Sequence, residues 1–468
     1  MRIAFYAPLK SPTHGTPSGD RRVAGLLMDA LARAGHRVEL VSTFRSYDAA
    51  GDAPRQAALR EQGVALGQRL AAQWRAGPAA ARPDLWFTYH AYYKSPDWLG
   101  PEASAALGIP YVIAEASHAG KRAGGAWDIG HRGTLEAIRR ADLLLCPTRD
   151  DAEGLRGVAA AAERIALLPP FLDPAPFRAA LEGRDAERAR LARAHGLDAS
   201  VPWIAVAAMM RPGDKLASYR ALAGTLSRLL DLSWRLLIAG DGPARAEVEA
   251  VLGGAIPGRT AYLGALGLND VAAVYAAADL CVWPAVNEAY GMAMLEAQAA
   301  GIPVASCATR GVPDVVEHGR TGLLAPYGDE PALAALVRDL LVDTGKRARL
   351  GAAAAAFVVN ERSVESAALR LGPLLARFPA ALPHMFAGMK VAISLALVGA
   401  IAGEFVASQV GLGYVILTAQ GMFQISRVFA AVTLLGVLGT ILFYLVGLVE
   451  RLVMPWHVSQ RSTAQASY

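Results

Sequence analysis

Apolar and polar positions alternate in blocks along the first 375 residues, and the blocks predict strands and helices in turn. Short apolar runs closed by Gly, Pro or polar residues predict buried strands at 3–7, 38–41, 85–89, 111–115, 143–147 and 165–168. A second set follows at 203–207, 236–239, 280–283 and 304–306. Between them lie predicted helices, one ending at Ala34, an Ala- and Arg-rich surface helix within 49–82, and others at 186–195 and 271–278. Residues 291–300 are rich in Ala, Met and Leu, strong helix formers, and Gly301 and Pro303 supply the stop. Strand–loop–helix–strand units imply parallel sheets, and their ligands sit at the carboxyl ends of the strands. The run Pro169-Pro-Phe-Leu-Asp-Pro-Ala-Pro-Phe177 stiffens a crossing between two such units, so the expected domains are 1–172 and 173–378.

The pattern changes after residue 378. From 379 to 468 only six residues are charged: Lys390, Glu404, Arg427, Glu450, Arg451 and Arg461. Residues 428–449 carry no charge and are rich in Leu, Val, Ile and Phe. About 20 apolar residues span a bilayer, so this segment is predicted to cross a membrane. A weaker span at 391–403 has to continue past Glu404, which must then face protein or water. Arg370, Arg377 and Lys390 precede the first span, and Arg451 and Arg461 follow the second. That places both ends on the cytoplasmic side of an inner membrane, with residues 1–378 in the cytoplasm.

Length and charge narrow the partners. A chain of 468 residues needs two or three cores. Its 46 Lys and Arg against 41 Asp and Glu give a net charge of +5. The basic residues are mostly scattered Arg, without an aromatic-interleaved stripe, so no nucleic-acid partner is expected. Anionic lipid or a nucleotide diphosphate suits that charge better. Cys146, Cys281 and Cys307 lie in strand-like runs without metal-ligand spacing and read as small core residues.

Several residues could carry chemistry. Glu288 lies just before the 291–300 helix, where first-turn N–H groups and the dipole favour an anion. Glu296 lies within that helix among Met292, Ala293, Leu295, Ala297 and Ala299, so it must find a partner or solvent. From these facts alone, a capping Glu and an exposed Glu account for them equally well. Gly15 and Gly19 sit in a loop of small and polar residues, 11–20, where the backbone could approach a phosphate or sugar. His90 and His118 follow strands, where each serves either a ligand or only its own loop. Residues 121–132, with Gly124, Gly125 and His131, read as a mobile loop over the cleft. Arg211 and Lys215 follow the strand at 203–207.

Glu288-x7-Glu296 after a strand, Tyr290-Gly291 between them, Gly301-Ile-Pro-Val304 and Gly319-Arg-Thr-Gly322-Leu-Leu occur together. This set resembles the donor site of the retaining glycosyltransferases of family 4, the glycosyl transferases group 1 set, over roughly residues 1–375. The resemblance implies an α/β GT-B fold: two Rossmann-like, doubly wound parallel-sheet domains facing across a cleft. It implies a hexosyltransferase that moves sugar from a nucleotide-diphosphate sugar to a glycan, lipid or small-molecule acceptor. The nucleotide sugar is a co-substrate, and neither a metal nor another cofactor is expected. By the same resemblance, Glu296 takes the ribose hydroxyls, and Glu288 with the backbone of Tyr290, Gly291 and Met292 holds the sugar. Arg211 and Lys215 meet the diphosphate, and His118 lies near the reacting centre. Gly19 and Gly240 approach the donor, Gly240 within the Gly240-Asp-Gly-Pro243 turn, and Leu266 borders the base. Two departures are visible: Ser18-Gly19-Asp20 stands where the family has Gly-Gly, and Arg211 and Lys215 are one residue closer than usual.

The tail resembles the end of an ABC-importer permease of the nitrate/sulfonate/taurine type. The residues are Pro379-Ala-Ala-Leu-Pro383, Gly388-Met-Lys-Val-Ala, Gly403-Glu-Phe and Gly411-Leu-Gly-Tyr414. It implies a permease fragment of two α-helical spans, fused to the glycosyltransferase and tethering it to the membrane. The rival readings are a membrane transport subunit and a catalytically inactive GT-B binding protein.

Overall fold

In the computed structural model, residues 1–15 and 18–453 are described, apart from the side chains of 377–388, 407 and 450–453. Thr16 and Pro17 of the 11–20 loop lie outside the described residues, as does Arg461, and so do the side chains of Arg377, Arg451 and the 379–383 motif. The chain divides into a compact body, Met1–Gly372, and a second unit from Pro373 onward.

The body holds two six-stranded sheets, each parallel throughout. The first is built from β1 (Arg2–Tyr6), β2 (Arg37–Ser42), β3 (Leu85–Ala91), β4 (Tyr111–Ala116), β5 (Leu143–Cys146) and β6 (Ile165–Leu167). The second comprises β7 (Trp203–Ala207), β8 (Arg235–Ala239), β9 (Thr260–Gly264), β10 (Leu280–Trp283), β11 (Val304–Ala308) and β12 (Gly322–Pro326). Their strand orders are β2-β1-β3-β4-β5-β6 and β12-β11-β10-β7-β8-β9. Most of these strands are continuous apolar runs because helices cover both faces. In β7 the residues Trp203 to Val206 are buried, as are all four of β10. Each sheet has its own core, one around Trp86, Tyr111 and Ile113 and one around Trp203, Leu237 and Val282. Full burial of a Leu or Phe side chain contributes about 1.5–3 kcal/mol, so two such cores hold the lobes independently.

The chain crosses between lobes twice. The first crossing follows β6 through Pro169 and Pro170. At the second, Leu172 N–H donates to Arg362 O (2.9 Å) and Val364 N–H donates to Leu172 O (3.0 Å). Helix α1 (Gly19–Arg33) opens with Ser18 as its cap, whose hydroxyl accepts from Arg21 N–H. Arg33 of α1 pairs with Glu365, beyond the second crossing.

One expectation needs correction. Residues 121–132 are not a single loop: a 3-10 turn at Gly120–Arg122 is followed by a helix, Asp128–Arg140. His131 is buried on that helix.

In the second unit, two helices are long and apolar enough to cross a membrane, at Met389–Val406 and Ile425–Val449, with mean hydropathy 1.8 and 2.4. The first extends past Glu404, as the sequence required. The Glu404 carboxylate accepts from Gly413 N–H (2.6 Å), near the start of the short helix Leu412–Gly421. Backbone donors there meet the charge that the span would otherwise leave unpaired.

Candidate functional site

Strand order locates the site. In the first sheet the order reverses between β1 and β3, and in the second between β7 and β10. Ligands of open parallel sheets bind beyond the strand ends at such reversals. At or just past these strand ends lie Gly19 and Asp20 at the start of α1, His90 near the end of β3, Arg211 in the loop after β7 with Lys215 in the first turn of the helix that follows (Asp214–Ser227), and Glu288 and Tyr290 after β10. Backbone strain gathers here too. Five of the six non-glycine residues with positive φ are His90, Glu115, Ala285, Asn287 and Arg310, all at or just past the carboxyl ends of sheet strands. Such conformations persist only where the surroundings enforce them, and they cluster at functional sites.

On the second lobe Lys215 and Glu288 form an ion pair across the reversal. Both are mostly shielded, with side chains 29% and 17% exposed. Trp283 supports both: its ring lies 5.6 Å from Lys215 Nζ, and its indole N–H points at Glu288 Oε2 (3.5 Å). Asn287 donates to Asp214 (2.9 Å), which ties the loop after β10 to the one after β7. Arg211 lies on the same loop but is exposed, and its guanidinium rests on Met209 Sδ (2.8 Å) rather than on Glu288. Gly291 caps the helix Met292–Ala299 in the left-handed region (φ 76°), a conformation that favours glycine.

Gly240 has a packing role. Ala208 N–H donates to Ala239 O and Met210 N–H to Asp241 O, both 3.0 Å, so the loops after β7 and β8 run side by side. A Cβ on Gly240 would overlap Ala208 O. The residue thereby sets the path of the segment that presents Arg211. Leu266, just past β9, packs partly buried against the second core. Gly19 is exposed, with open space where a Cβ would stand.

Glu296 is 8% exposed and paired with Arg22 of α1, on the other lobe. Burial pushes its carboxyl above the ordinary value, and Arg22 opposes that. The partner that its apolar helix demanded therefore comes from 274 residues away.

The first lobe contributes a network that sequence reasoning largely missed. His90 Nδ1 lies 3.0 Å from Asp20 Oδ1 and 3.7 Å from Glu115 Oε1. Tyr290, from the second lobe, donates its hydroxyl to Glu115 Oε2 (3.2 Å). Burial would lower His90, but Glu115 and Asp20 outweigh it and hold the imidazole above its ordinary value. Burial raises Glu115, with His90 opposing. For Asp20, burial is outweighed by His90, which holds the carboxyl below its usual range. His90 had been weighed as a candidate, but Glu115 had not. Its signal was a carboxylate near the end of an otherwise apolar buried strand. His118 is placed apart from this network, tilted against His131 (ring centroids 5.3 Å). Burial, then His131, lowers it. Among the described residues no group of three or more His, Cys, Asp or Glu could hold a metal ion.

Two parallel-sheet lobes with facing reversals constitute the GT-B fold. Residues 18–170 match the glycosyl transferase 4-like domain, and residues 204–343 match glycosyl transferases group 1. Residues 375–455 match the binding-protein-dependent transport system inner membrane component, so the tail is a fragment of that domain type. The chain is 31% identical over 297 residues to a D-inositol 3-phosphate glycosyltransferase of Streptomyces avermitilis, which covers 59% of this chain and 62% of the relative. The chain thus spans less than two thirds of that relative's length. The tail is 43% identical over 81 residues to the riboflavin transport system permease protein RibX of Chloroflexus aurantiacus, covering 17% of this chain and 30% of RibX. Among solved structures, Anabaena HepE in complex with UDP-glucose superposes with a TM-score of 0.59 at 18% identity, over 81% of this chain and all of HepE. At that identity the likeness concerns the fold.

Proposed function

We propose that the body is a glycosyltransferase that moves a sugar from a nucleotide-diphosphate donor to an acceptor, with retention of configuration and without a metal. The observation that carries this reading is the Lys215–Glu288 pair at the β7/β10 reversal, beside Arg211. Lys215 and Arg211 stabilise charge growing on the leaving diphosphate, and preorganised cations of this kind are worth about 3–4 kcal/mol of barrier. Glu288, with the backbone of residues 290–292, holds the donor sugar. Glu296 accepts from the ribose hydroxyls once Arg22 is shared or displaced. Gly19 approaches the donor, and Leu266 borders the base. The family resemblance puts His118 near the reacting centre; the His90 network, which touches Tyr290, suits that place better. The leaving phosphate takes the acceptor proton, so no side-chain base is required.

The tail tethers the body to the membrane with the body on the cytoplasmic side, and it is the end of a permease of the nitrate/sulfonate/taurine type. A transport subunit is the second reading, favoured by the match at 375–455. The test uses the full chain in detergent. Melting is followed with UDP-, GDP-, ADP- and dTDP-sugars, then donor turnover is measured. A stabilising donor shift with turnover is expected, and Lys215→Ala should lower turnover about 10²–10³-fold. A shift without turnover indicates a binding protein. No shift with any donor refutes the transferase.

A further inference from the structure

A small cavity of about 30 Å³ lies between the lobes, reached from the carboxyl ends of β3 and β4. Its walls are mainly apolar and include Val23 of α1, Pro170 of the crossing segment and Met292 of the second lobe. Its polar groups are Tyr89, Glu115 and Tyr290. Tyr89 is 2% exposed, and its hydroxyl makes no hydrogen bond of ordinary geometry, although burial and then the nearby Glu115 raise the phenol. Burying a hydroxyl without a partner is costly, so its position against this cavity calls for a ligand group. A water-sized group needs about 10–15 Å³ measured this way, so the space takes two, such as a methylene and a hydroxyl.

The charge around the cavity selects further. Beyond burial, Glu115 feels His90 as a cation and Asp20 and Asp151 as like charges. The other nearby cations are engaged: Arg22 on Glu296, Arg149 on Asp314, and Arg310 on Asn287 and Asp150. Lys10 acts on Asp20. An anionic group entering here meets carboxylates at short range, whereas a neutral hydroxyl meets matched partners. It donates to Glu115 and accepts from Tyr89, while its methylene lies against Val23 and Met292.

We propose that Tyr89, Glu115 and Tyr290 form a subsite for the uncharged hydroxymethyl arm of a sugar acceptor, and that phosphorylated acceptors are excluded from it. This rests on the transferase reading, and it names the acceptor class that reading left open. It separates this chain from the relative named for an inositol phosphate. Tyr290 links the two sites, because it belongs to the loop that carries Glu288 and touches Glu115.

The test is saturation-transfer NMR on the full chain in deuterated detergent, with methyl glucoside, glucose, glucose 6-phosphate and UDP-glucose as separate probes. The expected result is saturation strongest at the C6 protons of methyl glucoside, weakened at least threefold in Tyr89→Phe and in Glu115→Gln. Tyr89→Phe removes a hydroxyl that makes no hydrogen bond of ordinary geometry, so it retains the fold, and its melting point verifies that. Glucose 6-phosphate should compete with methyl glucoside at least tenfold more weakly than glucose does. Absence of C6 saturation, an unchanged signal in both variants, or equal competition by the phosphate overturns the proposal. C6 saturation confined to UDP-glucose overturns the acceptor assignment. The transferase reading is tested separately by the donor melting shift, so loss of one result does not imply loss of the other.

Discussion

The Arg22–Glu296 pair offers the sharpest quantitative test. Glu296 keeps a side-chain exposure of 10%, and Arg22 keeps 30%. Replacing Arg22 with Leu leaves the carboxylate buried without its cation. Removing one member of a fully buried pair costs about 3–5 kcal/mol, and partial hydration on the Arg22 side reduces this to about 2–3 kcal/mol. Replacing Glu296 with Gln instead removes the charge that burial penalises and leaves a guanidinium that can reach water. That change costs about 1 kcal/mol, the scale of one net hydrogen bond. At about 2 °C per kcal/mol for a large domain, Arg22→Leu should lower the melting temperature by about 4–6 °C and Glu296→Gln by about 2 °C. The double variant should melt above Arg22→Leu alone, because no orphan charge remains.

The pH dependence follows from the direction of the Glu296 shift. A carboxyl whose folded-state pKa is raised binds its proton more tightly when folded, so its ionisation opposes folding. That penalty is absent below the ordinary value of 4.5, grows as pH rises from there to the folded value, and is constant above it. Loss of Arg22 lifts the folded value further and widens the interval. The gap between Arg22→Leu and the unmodified chain should therefore widen as pH rises and close towards pH 4.5. Scanning fluorimetry of the full chain in detergent from pH 4.5 to 8 reads it directly. If Arg22→Leu costs no more than Glu296→Gln at pH 7.5, or the gap is flat with pH, the assignment of a buried, cross-lobe charge pair is wrong.

Two other outcomes are expected. Gly240→Ala places a methyl group against Ala208 O, so the loop after β7 must shift; stability should fall by about 1–3 kcal/mol, and donor affinity should fall with it because Arg211 is carried along, whereas unchanged affinity would show that the turn does not set that loop. Deleting residues 379–468 should move the protein from the membrane pellet to the supernatant after fractionation, because both apolar helices are lost; a truncated chain that still pellets would end the tether reading.

Much of the fold was legible because buried parallel strands are uninterrupted apolar runs. The predicted strands at 203–207 and 280–283 coincide with β7 and β10 to the residue. The helix Asp128–Arg140 was misread for a specific reason. Gly124, Gly125 and His131 read as loop residues, but the two glycines only precede the helix and His131 is buried on it, and on its buried face a Cβ at Gly130 or Gly133 would strike Tyr93 O or the Trp98 ring. Close packing, not backbone freedom, requires glycine there. The site was legible only in part. Lys215 and Glu288 lie in loops that Rossmann topology brings together, so their strand positions announced them. Arg22 and Glu115 did not announce themselves, because their partners Glu296 and Tyr290 lie on the other lobe. Pairing across so long a stretch of sequence leaves no periodicity to read.

The two carboxylates of one short segment are held in different ways, and that difference bears on how the cleft works. Glu288 takes its cation from its own lobe, so any rotation of the lobes about the two crossings leaves Lys215–Glu288 intact. Glu296 takes its cation from α1, and Glu115 takes its proton donor from Tyr290, so the same rotation breaks both contacts. Hinge closure commonly completes a site by bringing in groups from the facing domain. Glu288 and its lysine are thus preorganised on one lobe, whereas Glu296 and Glu115 report the position of the other. A donor that draws on Glu296 must compete with Arg22, and the charge it removes from that contact weakens the hold between the lobes. On the proposed donor assignment, donor binding and lobe position are coupled through one ion pair, and Glu296→Gln should uncouple them while leaving Lys215 and Glu288 in place.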